Sequence, residues 1–141
     1  MAAINQGRVL LGTVVGWVVW GLWDTVVNYF VLGTRYESAQ QMGWFLKEPR
    51  YPFFVAQWLI ILFLLSYIVV WLYASVRATQ SPGPMTALRV GLLVGFAAGF
   101  PLSFSSATWL PADRIFPLWW MLELWVGAIL ATLVGGWLYK D

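Results

Sequence analysis

Two carboxylates stand inside apolar runs where lipid would otherwise surround them: Asp24, between Trp23 and Thr25, and Glu123, between Leu122 and Leu124. On insertion scales a carboxylate within a membrane span costs about 2.5–3.5 kcal/mol, so each of these must face protein or water rather than acyl chains. Asn28 follows Asp24 by four residues and shares its helical face. Glu123 heads a row in which Gly127, Ala131 and Gly135 recur at the same interval, which places it on a small-residue, inward side. At a rise of about 1.5 Å per residue, Asp24 lies about 13 Å from Gly33 and Glu123 about 13 Å from Arg114, both measured from one side of the membrane. Gln57 and Ser106 fall in the same half. The chemistry this predicts is a polar intramembrane cavity lined by Asp24, Asn28, Gln57, Ser106 and Glu123, with Arg114 as the nearest counter-charge. Such a cavity could hold water or a ligand and would suit a proton-coupled step.

Catalysis is not expected from these residues. The chain has neither cysteine nor histidine, which removes thiolate, zinc and imidazole-ligated haem chemistry. Two carboxylates alone make a poor metal site, so no metal or cofactor is anticipated.

The elements that position these groups follow from composition. Charged residues are only 10% of the 141 while hydrophobic residues are 61%, a balance that suits lipid rather than water as the solvent. About 20 apolar residues cross a bilayer core, and the chain supplies four such runs, at about 9–32, 53–76, 89–110 and 115–139. The expected fold is therefore all-α: one four-helix transmembrane domain over residues 1–141, an up-down antiparallel bundle. Gly33 should end the first span. The charged and aromatic connection from Thr34 to Tyr51 suits the headgroup region. The turn at 80–84 and the short connection at 110–114 make the second, third and fourth spans successive neighbours. Deep tryptophans (Trp20, Trp23, Trp58 and Trp125) are expected to fill space between helices, and Trp119 and Trp120 to join the interfacial aromatic belt.

Small residues recur every fourth position along three spans: Gly12 and Gly16; Gly91, Gly95, Gly99 and Ser103; Gly127, Ala131 and Gly135. Such rows let helix backbones approach closely. Three rows exceed what four helices are expected to use, which predicts contact with further transmembrane helices, in a homo-oligomer or a larger membrane complex. Pro101 removes a backbone donor beside Ser103, Ser105, Ser106 and Thr108, favouring a kink next to a polar patch.

The segments YFVLG at 29–33, Tyr36 with Trp44 and Phe45, ALRVGLLVG at 87–95 and GWLY at 136–139 resemble a class of small bacterial four-helix membrane proteins. That resemblance implies the architecture and no activity. The leading functional expectation is a non-catalytic accessory or structural subunit. The alternative is a small transporter, channel or lipophilic-ligand binder using the cavity around Asp24 and Glu123. An even number of spans puts both termini on one side. Arg8, Arg77, Arg89 and Lys140 on that side balance Arg35, Lys47, Arg50 and Arg114 on the other, so the positive-inside count is even. A cytoplasmic N-terminus in a bacterial cytoplasmic membrane is the default. The net charge of +2 gives no basic stripe for nucleic acid.

Overall fold

A computed structural model of the chain describes residues 3–139; Lys140, counted above, lies outside the described residues. Helix α1, Gln6–Thr25, opens on Asn5, whose side-chain oxygen accepts from the Arg8 amide at 3.1 Å and satisfies one orphan donor of the first turn. The helix widens into a π-helical turn at Val26–Val31 before α2, Gly33–Gln41; α3 spans Phe54–Val76, α4 Pro84–Trp109 and α5 Ile115–Leu138. Four segments are long and apolar enough to cross a membrane: Gln6–Val31, Phe54–Val76, Pro84–Trp109 and Ile115–Leu138. They pack as the expected up-down bundle.

One boundary differs from expectation. The third span starts at Pro84 rather than near Arg89, because proline at the first helical position loses no hydrogen bond and the Thr86 hydroxyl donates to the Ser81 carbonyl at 2.7 Å. At Gly33 the first span has ended, at Val31, but the helical path continues. Leu32 alone separates the π turn from α2, and its backbone stays in the right-handed helical region.

Helix α5 packs against α1, α3 and α4, whereas α1 and α4 stand apart and α3 meets α4 only sparsely. The small-residue rows explain this arrangement. A Cβ at Gly91 would lie 2.7 Å from Ile129 Cα, one at Gly95 2.8 Å from the Trp125 carbonyl oxygen, and one at Gly99 3.0 Å from the Met121 carbonyl oxygen. Backbone meets backbone along the whole α4–α5 seam. On the other side of α5, Gly12 and Gly16 approach Gly135 and Ala131 to 3.0 Å by the same measure. The glycines of all three rows thus make close contacts within the bundle. Because its row faces α5, α4 leans toward α5 and away from α3 despite the short turn that joins α3 to α4.

Indole N–H groups tie the helices further. Trp17 Nε1 donates to the Leu59 carbonyl at 2.9 Å, Trp23 Nε1 to Leu122 at 3.3 Å and Trp125 Nε1 to Leu92 at 3.1 Å. Interhelical bonds of this kind contribute about 0.6 kcal/mol on average and at most about 1.7. Trp125→Phe is accordingly expected to lower stability by roughly 1 kcal/mol, read as a shift in reversible unfolding in mixed micelles. An unmoved midpoint would show that the bond adds nothing.

The two ends of the described chain meet at one end of the bundle. The Asn5 amide donates to the Tyr139 hydroxyl at 3.0 Å, and Arg77 Nη1 donates to the Tyr139 carbonyl at 2.6 Å while its guanidinium lies 5.0 Å from the Tyr139 ring centroid. The amide of Gly83, at φ +153°, donates to the Tyr73 hydroxyl at 3.2 Å. These bonds fasten the start of α1, the end of α3, the turn into α4 and the end of α5 together.

Candidate functional site

At the opposite end the divergence of α3 and α4 leaves a cavity of about 570 Å³. Its floor carries Asp24 and Asn28 from the first span, Glu123 from α5, and Ser103 and Ser106 from α4. Its aromatic wall carries Tyr36 from α2, Trp58 from α3 and Trp120 from α5. The residues at its mouth are Phe54, Val55 and Leu59 of α3 and Leu102 of α4, all apolar and exposed on the outer surface. The cavity therefore opens sideways, toward the bilayer.

Both acids are held by indoles. Trp20, fully buried, donates from Nε1 to Glu123 Oε1 at 2.8 Å. Trp58 Nε1 donates to Asp24 Oδ1 at 2.9 Å, and Asn28 Nδ2 donates to the same oxygen at 2.9 Å and more weakly to the Asp24 carbonyl at 3.2 Å. A second tier reaches in from the loop side, where Trp120 Nε1 donates to the Tyr36 hydroxyl at 2.8 Å and that hydroxyl donates to Asn28 Oδ1 at 2.8 Å. The chain from Trp120 through Tyr36 and Asn28 to Asp24 fixes the amide orientation of Asn28. Burial, foremost, holds the Tyr36 phenol above its usual range; the two carboxylates add to this and the Trp120 bond opposes it. Tyr36 is consequently a neutral O–H donor throughout the physiological range.

The local backbone supports this placement. The π turn carries Asn28, and its i→i−5 pattern is seen in the Leu32 amide bonding the Val27 carbonyl at 2.9 Å. Such turns recur at functional positions because they reorient side chains within a helix. Beyond the turn, Tyr36 and Phe45 pack with Phe116 and Trp120, at ring separations from 4.9 to 6.0 Å. These aromatics thus cover the start of α5. Gly127 is required by the same construction, since a Cβ there would fall on the Trp20 indole.

Of the residues expected at the site, the structure brings together Asp24, Asn28, Ser106 and Glu123. Ser103, expected as a packing residue, also lines the cavity. Gln57 does not take part. The α3 residues on the wall are Phe54, Val55, Trp58 and Leu59, a stripe that leaves position 57 turned about 100° away, exposed outside. Arg114 is not the counter-charge either. It precedes Glu123 by nine residues, about two and a half turns, and so faces the opposite way, into a separate cleft with Phe100, Phe104 and Leu118. Among the described residues no lysine or arginine lines the cavity.

The sequence reading missed the roles of Trp20, Trp58, Tyr36 and Trp120. One available signal was pairing by type: an acid buried in a span needs a donor, and with so few other polar residues tryptophan is the commonest donor at that depth. The arrangement amounts to an acceptor-rich pocket with aromatic walls, two hydroxyls and a lipid-facing mouth. No protein-family model, curated protein or solved structure matches this chain.

Proposed function

We propose that this integral membrane protein binds a lipophilic molecule drawn laterally from the bilayer, seating its polar head on the Asp24 and Glu123 floor while its apolar body remains between α3 and α4. The single observation that supports the reading most is the composition of the cavity: polar groups at its base and exposed apolar side chains at its mouth, in a gap between two helices joined by only a short turn. Pockets for small molecules have this mixture of apolar lining and a few convergent polar groups. Passage across the membrane, as carrier or channel, would be an elaboration of the same site. A bacterial cytoplasmic membrane with both chain ends in the cytoplasm is the setting proposed for it.

The test is extraction into lipid nanodiscs, followed by mass spectrometry of small molecules retained by the protein. Ser106→Trp, which fills the cavity from α4, is expected to abolish a stoichiometric bound species present in the parent chain. Equal retention by both proteins would sink the proposal.

An accessory role within a larger complex is the second reading. Phe96, Phe100 and Phe104 stack one turn apart on the outer face of α4, with ring centroids 4.9 and 5.9 Å apart, and stand exposed. Such an aromatic ridge suits a neighbouring helix as well as lipid. Cross-linking in native membrane from position 100 separates the two, since only a protein neighbour gives a discrete heavier band.

A further inference from the structure

The hydrogen-bond inventory of the cavity narrows the ligand further, an argument that rests on the binding reading above. Asn28 and Tyr36 are satisfied: Asn28 gives its amide hydrogens to Asp24 and accepts from Tyr36, and Tyr36 accepts from Trp120. The carboxylates are satisfied on one oxygen each. All protein donors go to Asp24 Oδ1 and Glu123 Oε1. The second oxygens take no bond from the described residues, and neither is sealed off as a buried orphan, so both remain reachable from the cavity. Ser103 is a separate indication. The residue is 8% exposed, lines this space as well as the neighbouring Arg114 cleft, and its hydroxyl forms no bond with the described residues.

Open sites on this floor are thus two carboxyl oxygens and the serine hydroxyls, a set that can accept several hydrogen bonds. Ionising both carboxyl groups in a low-dielectric pocket without a cation carries a desolvation penalty, which a positively charged head with several N–H groups would offset while filling the vacant acceptors. An anionic head would meet like charge. A phosphate would find no lysine or arginine on the cavity wall. A quaternary ammonium could rest on the Trp58 and Trp120 faces but would leave the free oxygens and hydroxyls without donors.

We infer that the ligand is a protonated primary amine on a long apolar chain, its ammonium group held by Asp24, Glu123 and the Ser103 hydroxyl, with its chain leaving between Leu59 of α3 and Leu102 of α4. The shared chemistry, an ammonium on an amphiphile, has two sources: a free lipophilic amine, or the headgroup of an aminophospholipid.

The experiment uses the full chain in phosphatidylcholine nanodiscs, with binding counted by native mass spectrometry. Dodecylamine is expected to bind one per chain. Dodecanol and dodecyltrimethylammonium are expected to bind at least about tenfold more weakly, and dodecanoate not measurably. Asp24→Asn and Glu123→Gln each keep an oxygen acceptor for their indole donors, and each is expected to weaken dodecylamine about 30-fold or more with dodecanol unchanged. Ser103→Ala, the variant least disturbing to folding, should weaken dodecylamine several-fold. Replacing part of the phosphatidylcholine with phosphatidylethanolamine separates the sources: displacement of dodecylamine supports the aminophospholipid, and no displacement supports the free amine. Dodecanol binding as tightly as dodecylamine, lost in Ser106→Trp but unaffected by Asp24→Asn and Glu123→Gln, would overturn the amine and leave the cavity reading intact. Failure of all four amphiphiles to bind would overturn both.

Discussion

Trp20→Phe is expected to destabilise the bundle by about 2–4 kcal/mol, the sum of a lost interhelical bond and a partly open void. Trp20 is fully buried and supplies the hydrogen bond that Glu123 receives from the described residues. Phenylalanine removes that bond to a buried acid, a loss of at most about 1.7 kcal/mol between membrane helices, and leaves a void beside Gly127 that the close-packed α1–α5 interface can only partly close. The bond and void contributions separate in a double-mutant cycle with Glu123→Leu, which takes away the acceptor. In that background Trp20→Phe should lose only the packing part. Equal losses in both backgrounds, measured by reversible unfolding in mixed micelles, would show that the indole serves only to fill space.

The second large effect belongs to the α4–α5 seam. Gly95→Ala should cost about 1–3 kcal/mol, the range for overpacking in a filled interior. The added methyl would meet the Trp125 carbonyl oxygen at 2.8 Å and its Cα at 2.9 Å, and backbone atoms cannot swing aside as a side-chain tip can. Relief requires the helices to part. Gly21→Ala is the matched comparison, since a Cβ there meets nothing within 4 Å. There alanine's better helix propensity should leave stability unchanged or slightly raised. If the two substitutions shift the unfolding midpoint equally, close backbone approach is not what holds α4 to α5.

The spans, the inward faces of Asp24 and Glu123, and the small-residue rows were all readable from the sequence, because each follows from a one-dimensional rule: hydropathy over a window, or recurrence every fourth residue. The matched depth of the two acids came from counting rise per residue, and the cavity does hold both. Interhelical rotation was not readable. Gln57 and Trp58 are adjacent in the chain, yet one faces outward and the other bonds Asp24, and nothing local to α3 decides between them. The connection from α3 to α4 misled in a related way. A short turn forces two helices to begin side by side but says nothing about whether they stay so, and here the glycine row on α4 draws it to α5. The π turn had no sequence signal that separates it from ordinary helix.

The knot of bonds around Tyr139 gives the molecule the mechanics of tongs. Four helix ends are fastened there, while at the far tips α3 and α4 have little to hold them together. Helix α3, 23 residues long, is a lever of about 35 Å, so rocking it by about 5° at the fastened end carries its tip about 3 Å. That excursion is comparable to the girth of an acyl chain. Opening the jaws in this way would leave the glycine seam packed and would break the Trp17–Leu59 and Trp58–Asp24 bonds, which tie the α3 tip to α1.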